Sequence, residues 1–136
     1  MYKKILIPIA LESGHRGDDA IRTAKLLADD GAEIVLLHVI EDLPTYVRVE
    51  IPDDIFKNAV REAEDSLKQM AAQSSANAKA VVVGGHPGVT IIDYAETHGV
   101  DCIVIASHRP DLSDYFLGSS AARVVRHANC SVHVIR

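Results

Sequence analysis

The chain lacks tryptophan and has few aromatic residues of any kind, since Phe, Trp and Tyr make up 4% of its 136 residues. Its two cysteines, Cys102 and Cys130, have neither metal-ligand spacing nor the density of a secreted disulfide scaffold. Ligand binding by aromatic stacking and stabilisation by disulfides are therefore not expected. Reduced thiols suit the cytoplasm, and we predict that localisation.

The chain also lacks an excess of positive charge and a long hydrophobic run. Its formal net charge is −5 at pH 7, so we expect no basic surface that could bind nucleic acid or an anionic membrane. The apolar run that follows Lys3 and Lys4 is too short for a membrane span or a signal peptide. The composition therefore excludes nucleic acid and membranes as expected partners.

Aliphatic residues are abundant: the chain is 48% hydrophobic, and short aliphatic runs alternate with helical patterns. This order predicts one domain over residues 1–136, an α/β fold with an open, twisted, five-stranded parallel sheet and helices on both faces, of the Rossmann-like kind. Segment 41–52 contains two prolines and no helical period, so we predict a long surface loop there. The strands are predicted at 5–9, 34–40, 80–83, 102–105 and 132–135, and the helices at 18–28, from about 52, at 89–97 and from about 119.

A turn that could bind phosphate is predicted between the fourth strand and the last helix. Gly118 permits close backbone approach, and the first N–H groups of a helix that begins near Ser119 would attract an anion together with the helix dipole. Ser119 and Ser120 could donate hydroxyl hydrogen bonds. Serine at this position is also a common helix N-cap that needs no ligand, so the turn by itself leaves both interpretations open.

The C-terminal part of the chain resembles the universal stress protein family. An aliphatic strand, a Ser-His loop, a Leu-Gly-Ser turn, a helix that ends in Arg-Val-Val-Arg-His-Ala-Asn-Cys-Ser-Val and a final strand occur together over 103–136. The strands at 2–9 and 34–40 match the family as well, so the resemblance spans essentially the whole chain. It implies the fold of the adenine nucleotide alpha hydrolases.

ATP-binding members of the family carry the pattern G-x2-G-x9-G-[S/T], and only its last pair remains here, as Gly118 and Ser119. Arg109 stands at the place of the first glycine, which is typical of a divergent subgroup with an SHRPD-type loop. The Arg109 guanidinium could bind phosphate in two places at once and compensate for the lost glycine. The alternative is a surface ion pair with Asp111 or Asp114.

The resemblance implies a site for ATP, ADP or AMP where the first and fourth strands end, because ligands of open α/β sheets bind at such a crevice. By resemblance, the backbone at Val39 contacts the adenine edge, and the apolar atoms of Pro8, Ile9 and Ile105 sandwich the base. Ala106 approaches the sugar and phosphates, and the turn at Gly118 binds phosphates. The predicted nucleotide-binding residues are Pro8, Ile9, Ala10, Val39, Ile105, Ala106, Ser107, His108, Arg109, Gly118, Ser119 and Ser120.

Metal and catalytic sites have little support in the sequence. Ala10 replaces an Asp that the family often has after the first strand, so Mg²⁺ binding is not supported. The seven histidines show no HxxxH or HExxH spacing, and the chain has no GxSxG turn, Walker loop or GxGxxG motif. We therefore predict no metal ligands and no catalytic residues, and leave open the slow ATP hydrolysis or self-phosphorylation that the resemblance permits.

These observations favour a cytoplasmic, dimeric stress-response sensor or regulator that binds an adenine nucleotide and contacts a protein partner that the sequence does not identify. The alternative is a nucleotide-free dimeric interaction module, as in family members that have lost the glycine motif. The dimer is expected through the terminal strand at Ser131 to Arg136, because a strand at a sheet edge leaves backbone groups unpaired. His133 is predicted near the two-fold axis, with Val132 and Val134 on the core side.

Overall fold

A computed structural model describes residues 1–11, 17–74, 77–107 and 117–136. Strands and helices alternate along the chain, as the sequence predicts, except that two successive helices separate the second strand from the third. The elements are β1 (Tyr2–Pro8), α1 (Gly17–Leu27), β2 (Ala28–Glu41), α2 (Thr45–Glu50), α3 (Asp53–Ser74), β3 (Ala78–Gly85), α4 (Pro87–Thr97), β4 (Cys102–Ala106), α5 (Ser119–His127) and β5 (Ser131–Ile135).

The five strands form one parallel sheet in the order β3-β2-β1-β4-β5. The chain moves outward from β1 to β3, then returns to the other side of β1 and moves outward again to β5. The predicted α/β fold is confirmed. The strand order reverses between β1 and β4, which are the two strands expected to flank the crevice.

Helices cover both faces of the sheet because the central strands are apolar on both sides. In β1, Ile5 and Ile7 pack with residues of α1 and α3, and Leu6 packs with residues of α4 and α5. All three side chains are fully buried. This alternation fixes the strand's orientation, since a shift by one residue would exchange the two apolar sets.

Helix α3 covers the sheet with its C-terminal half only, where all its buried residues lie, at Leu67, Ala71 and Ser74. The apolar pattern predicts a longer buried face that begins at Phe56, but Ala59 is exposed and Phe56 is only partly buried. The first half of α3 therefore extends past the part of the sheet that it could cover.

The prediction of a loop over 41–52 is wrong for its central part, where α2 forms. Pro44 is the N-cap of α2, and its C=O accepts hydrogen bonds from the N–H groups of Val47 and Arg48 at 2.9 Å. Arg48 lies over the Phe56 ring at 3.9 Å from the centroid, which attaches α2 to α3. None of the α2 residues is buried. A helix without a buried face needs no apolar stripe, so hydrophobic periodicity does not predict α2.

At the amino end of the sheet, Asp101 connects β1 to the start of β4. Its two carboxylate oxygens accept hydrogen bonds from the N–H groups of Lys3 and Lys4 at 2.9 and 3.0 Å. The Asp101 N–H in turn donates to the C=O of Lys4 at 3.0 Å. These bonds hold β1 and β4 together at the end of the sheet opposite the predicted crevice.

Candidate functional site

The strands β1 and β4 part at their carboxyl ends. Their ladder pairs Ile5 with Cys102 and Leu6 with Ile103, and in the described part of the chain it goes no further. The ladders on either side continue to the strand ends, with Pro8 opposite Leu37 and Ala106 opposite Ile135. The β1–β4 ladder therefore ends before either strand does, at the rim where the sequence analysis places the crevice.

The backbone at Ile9 is fixed to β2 by two hydrogen bonds. Its N–H donates to the C=O of Leu37, and its C=O accepts a bond from Nδ1 of His38, both at 2.8 Å. Because a carbonyl only accepts, Nδ1 of His38 carries the proton. His38 is 6% exposed, so this bond is made inside the protein. It holds the exit of β1 in place and leaves Ala10 exposed at the rim.

Sequence reasoning placed His38 on its strand but gave it no role. The pattern of the strand shows a histidine in an apolar run, which is consistent with either a packed or a functional side chain. Its partner is the backbone of a residue 29 positions away, and only the fold brings the two together.

Two of the residues expected to contact the base are buried on opposite faces of the sheet. Ile9 packs with the α1 and α3 side, and Ile105 packs with the α4 and α5 side, with 7% and 5% of their surfaces exposed. Both side chains are therefore largely enclosed by the helices, and little of either is open to a ligand. Pro8, Val39 and Ala106 are partly exposed.

Ser107 ends β4 and connects it to the start of α5. Its N–H donates to the C=O of Ile135 at 2.8 Å, and its C=O accepts from the N–H of Gly118 at 2.5 Å. Ser107 is 2% exposed. The residue that follows β4 is thus hydrogen-bonded directly to the residue that precedes α5. His108 and Arg109, the other predicted residues of this loop, lie outside the described residues.

The start of α5 has the geometry of an anion site. Gly118 is the N-cap, with φ −56° and ψ 152° and no side-chain cap bond. The first helical bond runs from the Ala122 N–H to the Gly118 C=O at 2.8 Å, so the N–H groups of Ser119, Ser120 and Ala121 precede the helical ladder.

The cap position corrects one interpretation of the sequence. Serine does not cap this helix, because Ser119 and Ser120 lie within its first turn. That turn contains no acidic residue, so the positive end of the helix dipole is not neutralised by a side chain of the helix itself. The turn can accept a phosphate without first losing a cap.

The first turn of α4 packs against the middle of α5. Gly88 is buried in the first turn of α4, and a Cβ atom added there would lie 2.7 Å from Cδ of Arg123. The aliphatic part of the Arg123 side chain therefore packs directly on the α4 backbone. The glycine-rich turn that precedes α4 has a structural reason for its composition: Gly85 has φ +143°, which a residue with a side chain rarely adopts, and Pro87 occupies the first turn of α4.

Arg123 is a basic residue of α5 that the sequence analysis missed. It is exposed, and it lies four residues after Ser119, on the same side of α5. Long side chains in helices generally extend back toward the N-terminus, which is the direction of the first turn. The spacing of four from Ser119 was the available signal.

Neither thiol is suited to act as a nucleophile. Burial raises the pKa of Cys102 to about 11, and burial also raises the pKa of Cys130. Both groups are therefore protonated at neutral pH. Within the described ranges, no three His, Cys, Asp or Glu side chains are grouped so that they could hold a metal ion. No helix in those ranges is long and apolar enough to cross a bilayer.

Comparisons with known proteins agree with this architecture. The family model of the universal stress protein family matches residues 1–136. Universal stress protein G from Shigella flexneri is 32% identical over 142 aligned positions that cover 100% of both chains. The solved structure of universal stress protein UspA from Lactobacillus plantarum has a TM-score of 0.80 and 29% identity, and the match covers 99% of this chain and 98% of that one.

More distant relatives have been solved with adenine nucleotides. A universal stress protein from Archaeoglobus fulgidus in complex with dAMP has a TM-score of 0.65 and 18% identity, over 99% of this chain and 98% of that one. A universal stress protein in complex with cAMP has the same TM-score and identity, over 99% and 97% of the two chains. At this identity the likeness concerns the fold. The full-length family match and the relative at 32% identity go further, and on these grounds the chain belongs to the universal stress protein family.

Proposed function

We propose that this protein binds an adenine nucleotide, ATP in the first place, in the crevice between β1 and β4. The observation that carries the proposal is the uncapped start of α5 beside the parted strands. A helix start with unpaired N–H groups and no acidic residue favours a phosphate. The relatives solved with dAMP and cAMP support an adenine nucleotide as the class of ligand.

In this arrangement the base lies at the exits of β1 and β2. The backbone of Val39 offers the polar contacts to the adenine edge, and Pro8 and Ala10 supply an apolar surface for the ring. The ribose lies near Ala106, at the end of β4. Because His38 fixes the backbone of Ile9, this side of the crevice is organised before a ligand arrives.

The phosphates extend to Gly118, Ser119 and Ser120. Three N–H groups point out of the first turn of α5, and the exposed Ser119 hydroxyl adds a further donor. Arg109 and Arg123 supply positive charge that attracts the phosphates. Adenosine has no phosphates, so its binding should not depend on these two residues. We assign binding residues and no catalytic ones, and Ala10 offers no carboxylate for Mg²⁺.

Native mass spectrometry and calorimetry test the binding proposal directly. Purified protein is expected to carry a mass equal to ATP, ADP or AMP, or to bind ATP when it is titrated. A folded Gly118→Val variant should bind ATP more weakly, because its side chain obstructs the phosphate. The absence of both a co-purifying nucleotide and a response to millimolar ATP would instead favour the nucleotide-free interaction module.

Arg109 has its own test. Arg109→Ala should weaken the binding of ATP more than that of adenosine, because only ATP carries the phosphates that the guanidinium would contact. Equal losses for the two ligands would contradict this role and favour a surface ion pair.

We further infer that the protein acts as a cytoplasmic homodimer in the stress response, with β5 as the interface. The C=O of Ile135 accepts its bond from Ser107 on the β4 side. Since successive residues of a strand direct their backbone groups to alternate sides, those of His133 also face β4 and those of Val132 and Val134 face the open edge. An antiparallel partner strand centred on His133 would form hydrogen bonds with the backbone groups of both Val132 and Val134.

In that register Val132 of one copy lies opposite Val134 of the other, and the two His133 residues face each other. Val132 and Val134 pack their side chains on the α4 and α5 core, as the sequence predicts, and His133 is exposed. Any charge introduced at position 133 is therefore doubled at the axis. His133→Glu places two carboxylates together and should weaken the dimer in sedimentation experiments, whereas the uncharged His133→Val should not. Equal effects of the two variants would contradict this register.

A further inference from the structure

A cavity of about 250 Å³ lies at the amino end of the sheet, opposite the nucleotide crevice. It lies between the C-terminal half of α4 and the connection from α5 to β5. We call it the α4–β5 cavity. Its lining consists of Ile92, Ala95, Glu96, Gly99, Val100, Ala128, Asn129 and Cys130.

The chemistry of the α4–β5 cavity favours an occupant with an aliphatic body and a cationic end. Its walls are mainly apolar, and its lining contains no basic residue. Glu96 supplies a carboxylate, one oxygen of which accepts a bond from Nδ2 of Asn129 at 2.6 Å. The cavity also lies at the C-terminal end of α4, where the helix dipole is negative and favours a cation.

The position of the cavity connects it with the open edge of the sheet. Cys130 lines the cavity and directly precedes β5. In the antiparallel register centred on His133, a residue that lies a given number of positions before His133 in one copy pairs with the residue that lies the same number of positions after His133 in the other. Cys130 of one copy is therefore brought opposite residue 136 of the other.

Residue 136 is an arginine, and it directly follows the last residue of β5. Pairing with the partner extends the strand by this residue, and the alternation of side chains then places Arg136 on the same face as Val132 and Val134, which pack on the α4 and α5 side. Paired residues of antiparallel strands have Cα atoms about 4.5–5.5 Å apart. From that distance a long arginine side chain can pass over Cys130 toward Glu96.

We propose that Arg136 of the partner subunit occupies the α4–β5 cavity and pairs with Glu96 when two copies associate along β5. Its aliphatic part lies against the apolar wall and its guanidinium against the carboxylate. Because the dimer is two-fold symmetric, the same contact forms twice. The inference rests on the β5 dimer proposed above, and it adds a reciprocal side-chain contact to the backbone pairing.

Charge exchange between the two positions provides the test. Arg136→Glu and Glu96→Arg should each weaken the dimer, raising its dissociation constant about tenfold or more in dilute salt, since each places two like charges together twice. The double variant restores attraction with reversed polarity and should return the dissociation constant to within about threefold of the wild type. Sedimentation equilibrium measures all four proteins.

Matched variants control for the change in net charge and for the bond between Glu96 and Asn129. Arg61→Glu and Glu62→Arg make the same charge changes on exposed positions of α3 and should leave the dissociation constant unchanged. Asn129→Ala removes the bond to Glu96 without changing the charge, and it should have little effect on the dimer. Circular dichroism confirms that each variant is folded.

The outcomes distinguish the Arg136 contact from the β5 dimer on which it depends. A wild type that is monomeric at all accessible concentrations overturns the β5 dimer, and this contact with it. A wild-type dimer that neither single variant weakens overturns the Arg136 contact alone. Single variants that weaken the dimer without recovery in the double variant show that the two residues act on different partners, which also overturns it.

Discussion

Substitution of Gly118 by aspartate should separate the stability of α5 from its capacity to bind phosphate. Gly118 is an N-cap without a cap side chain, in a conformation that any residue can adopt. An aspartate there would accept a hydrogen bond from the first turn and place a negative charge at the positive end of the dipole. The two effects together should stabilise the protein by about 0.5–1 kcal/mol and raise Tm by about 2–4 °C.

The same aspartate should impair nucleotide binding. Its carboxylate would occupy an N–H group that the phosphate needs and would repel the phosphate itself. A hydrogen bond to a charged group contributes about 1.5–3 kcal/mol, so the loss of one such bond should lower the affinity for ATP at least about tenfold. Adenosine, which has no phosphate, should bind with unchanged affinity.

Thermal unfolding and calorimetry with the two ligands measure both effects. Gly118→Asn is the matched control: it caps the helix in the same way without the charge, so it should stabilise the protein and weaken ATP binding less than aspartate does. If the aspartate variant is stabilised but binds ATP as tightly as the wild type, the phosphates do not lie at the start of α5 and the reasoning is wrong.

Three further predictions concern the rest of the fold. The hydrogen bond from Lys79, supported by Lys4, lowers the pKa of Glu33, so the ionised Glu33 contributes to stability above about pH 4.5 and this contribution is lost as the pH falls below that value. In urea titrations, Glu33→Gln should therefore lower the free energy of unfolding by up to about 1 kcal/mol at pH 7 and leave it unchanged at about pH 3. Asp101→Ala leaves two backbone N–H groups of β1 without their carboxylate and should cost about 1–3 kcal/mol by the same method, whereas an unchanged unfolding midpoint would contradict that role. A thiol reagent at about pH 8 should modify the partly exposed Cys130 well before the buried Cys102; equal rates for both thiols would show that the core opens readily.

The strand pattern could be predicted because burial on both faces makes each central strand a continuous aliphatic run. The runs at Ile5 and Cys102 are of this kind, and both are paired as expected. The ends of the elements were less predictable. β2 begins at Ala28, before the run at Ile34, because Ala28 pairs with Tyr2 and the register then shifts before Glu33 pairs with Lys4. Backbone pairing of this kind does not require apolar side chains, so the hydrophobicity of the sequence does not predict it.

The site could be predicted only as far as it consists of local sequence. Gly118 and Ser119 follow a strand and begin a helix, and those relations are visible in the chain. The bond between His38 and Ile9 and the packing of Arg123 on Gly88 join residues 29 and 35 positions apart. These contacts depend on where the fold places the two elements, and no local pattern encodes them.

The hydrogen bond between the Ser107 C=O and the Gly118 N–H has a consequence for protein engineering. It joins the buried residue that follows β4 directly to the N-cap of α5, so β4 and α5 should meet in the same way around a longer connection. The entropic cost of closing a flexible loop grows slowly, by about 0.6 kcal/mol for each doubling of its length. A peptide tag or a small reporter domain inserted between these two residues should therefore leave the sheet intact, at a position next to the nucleotide site proposed above.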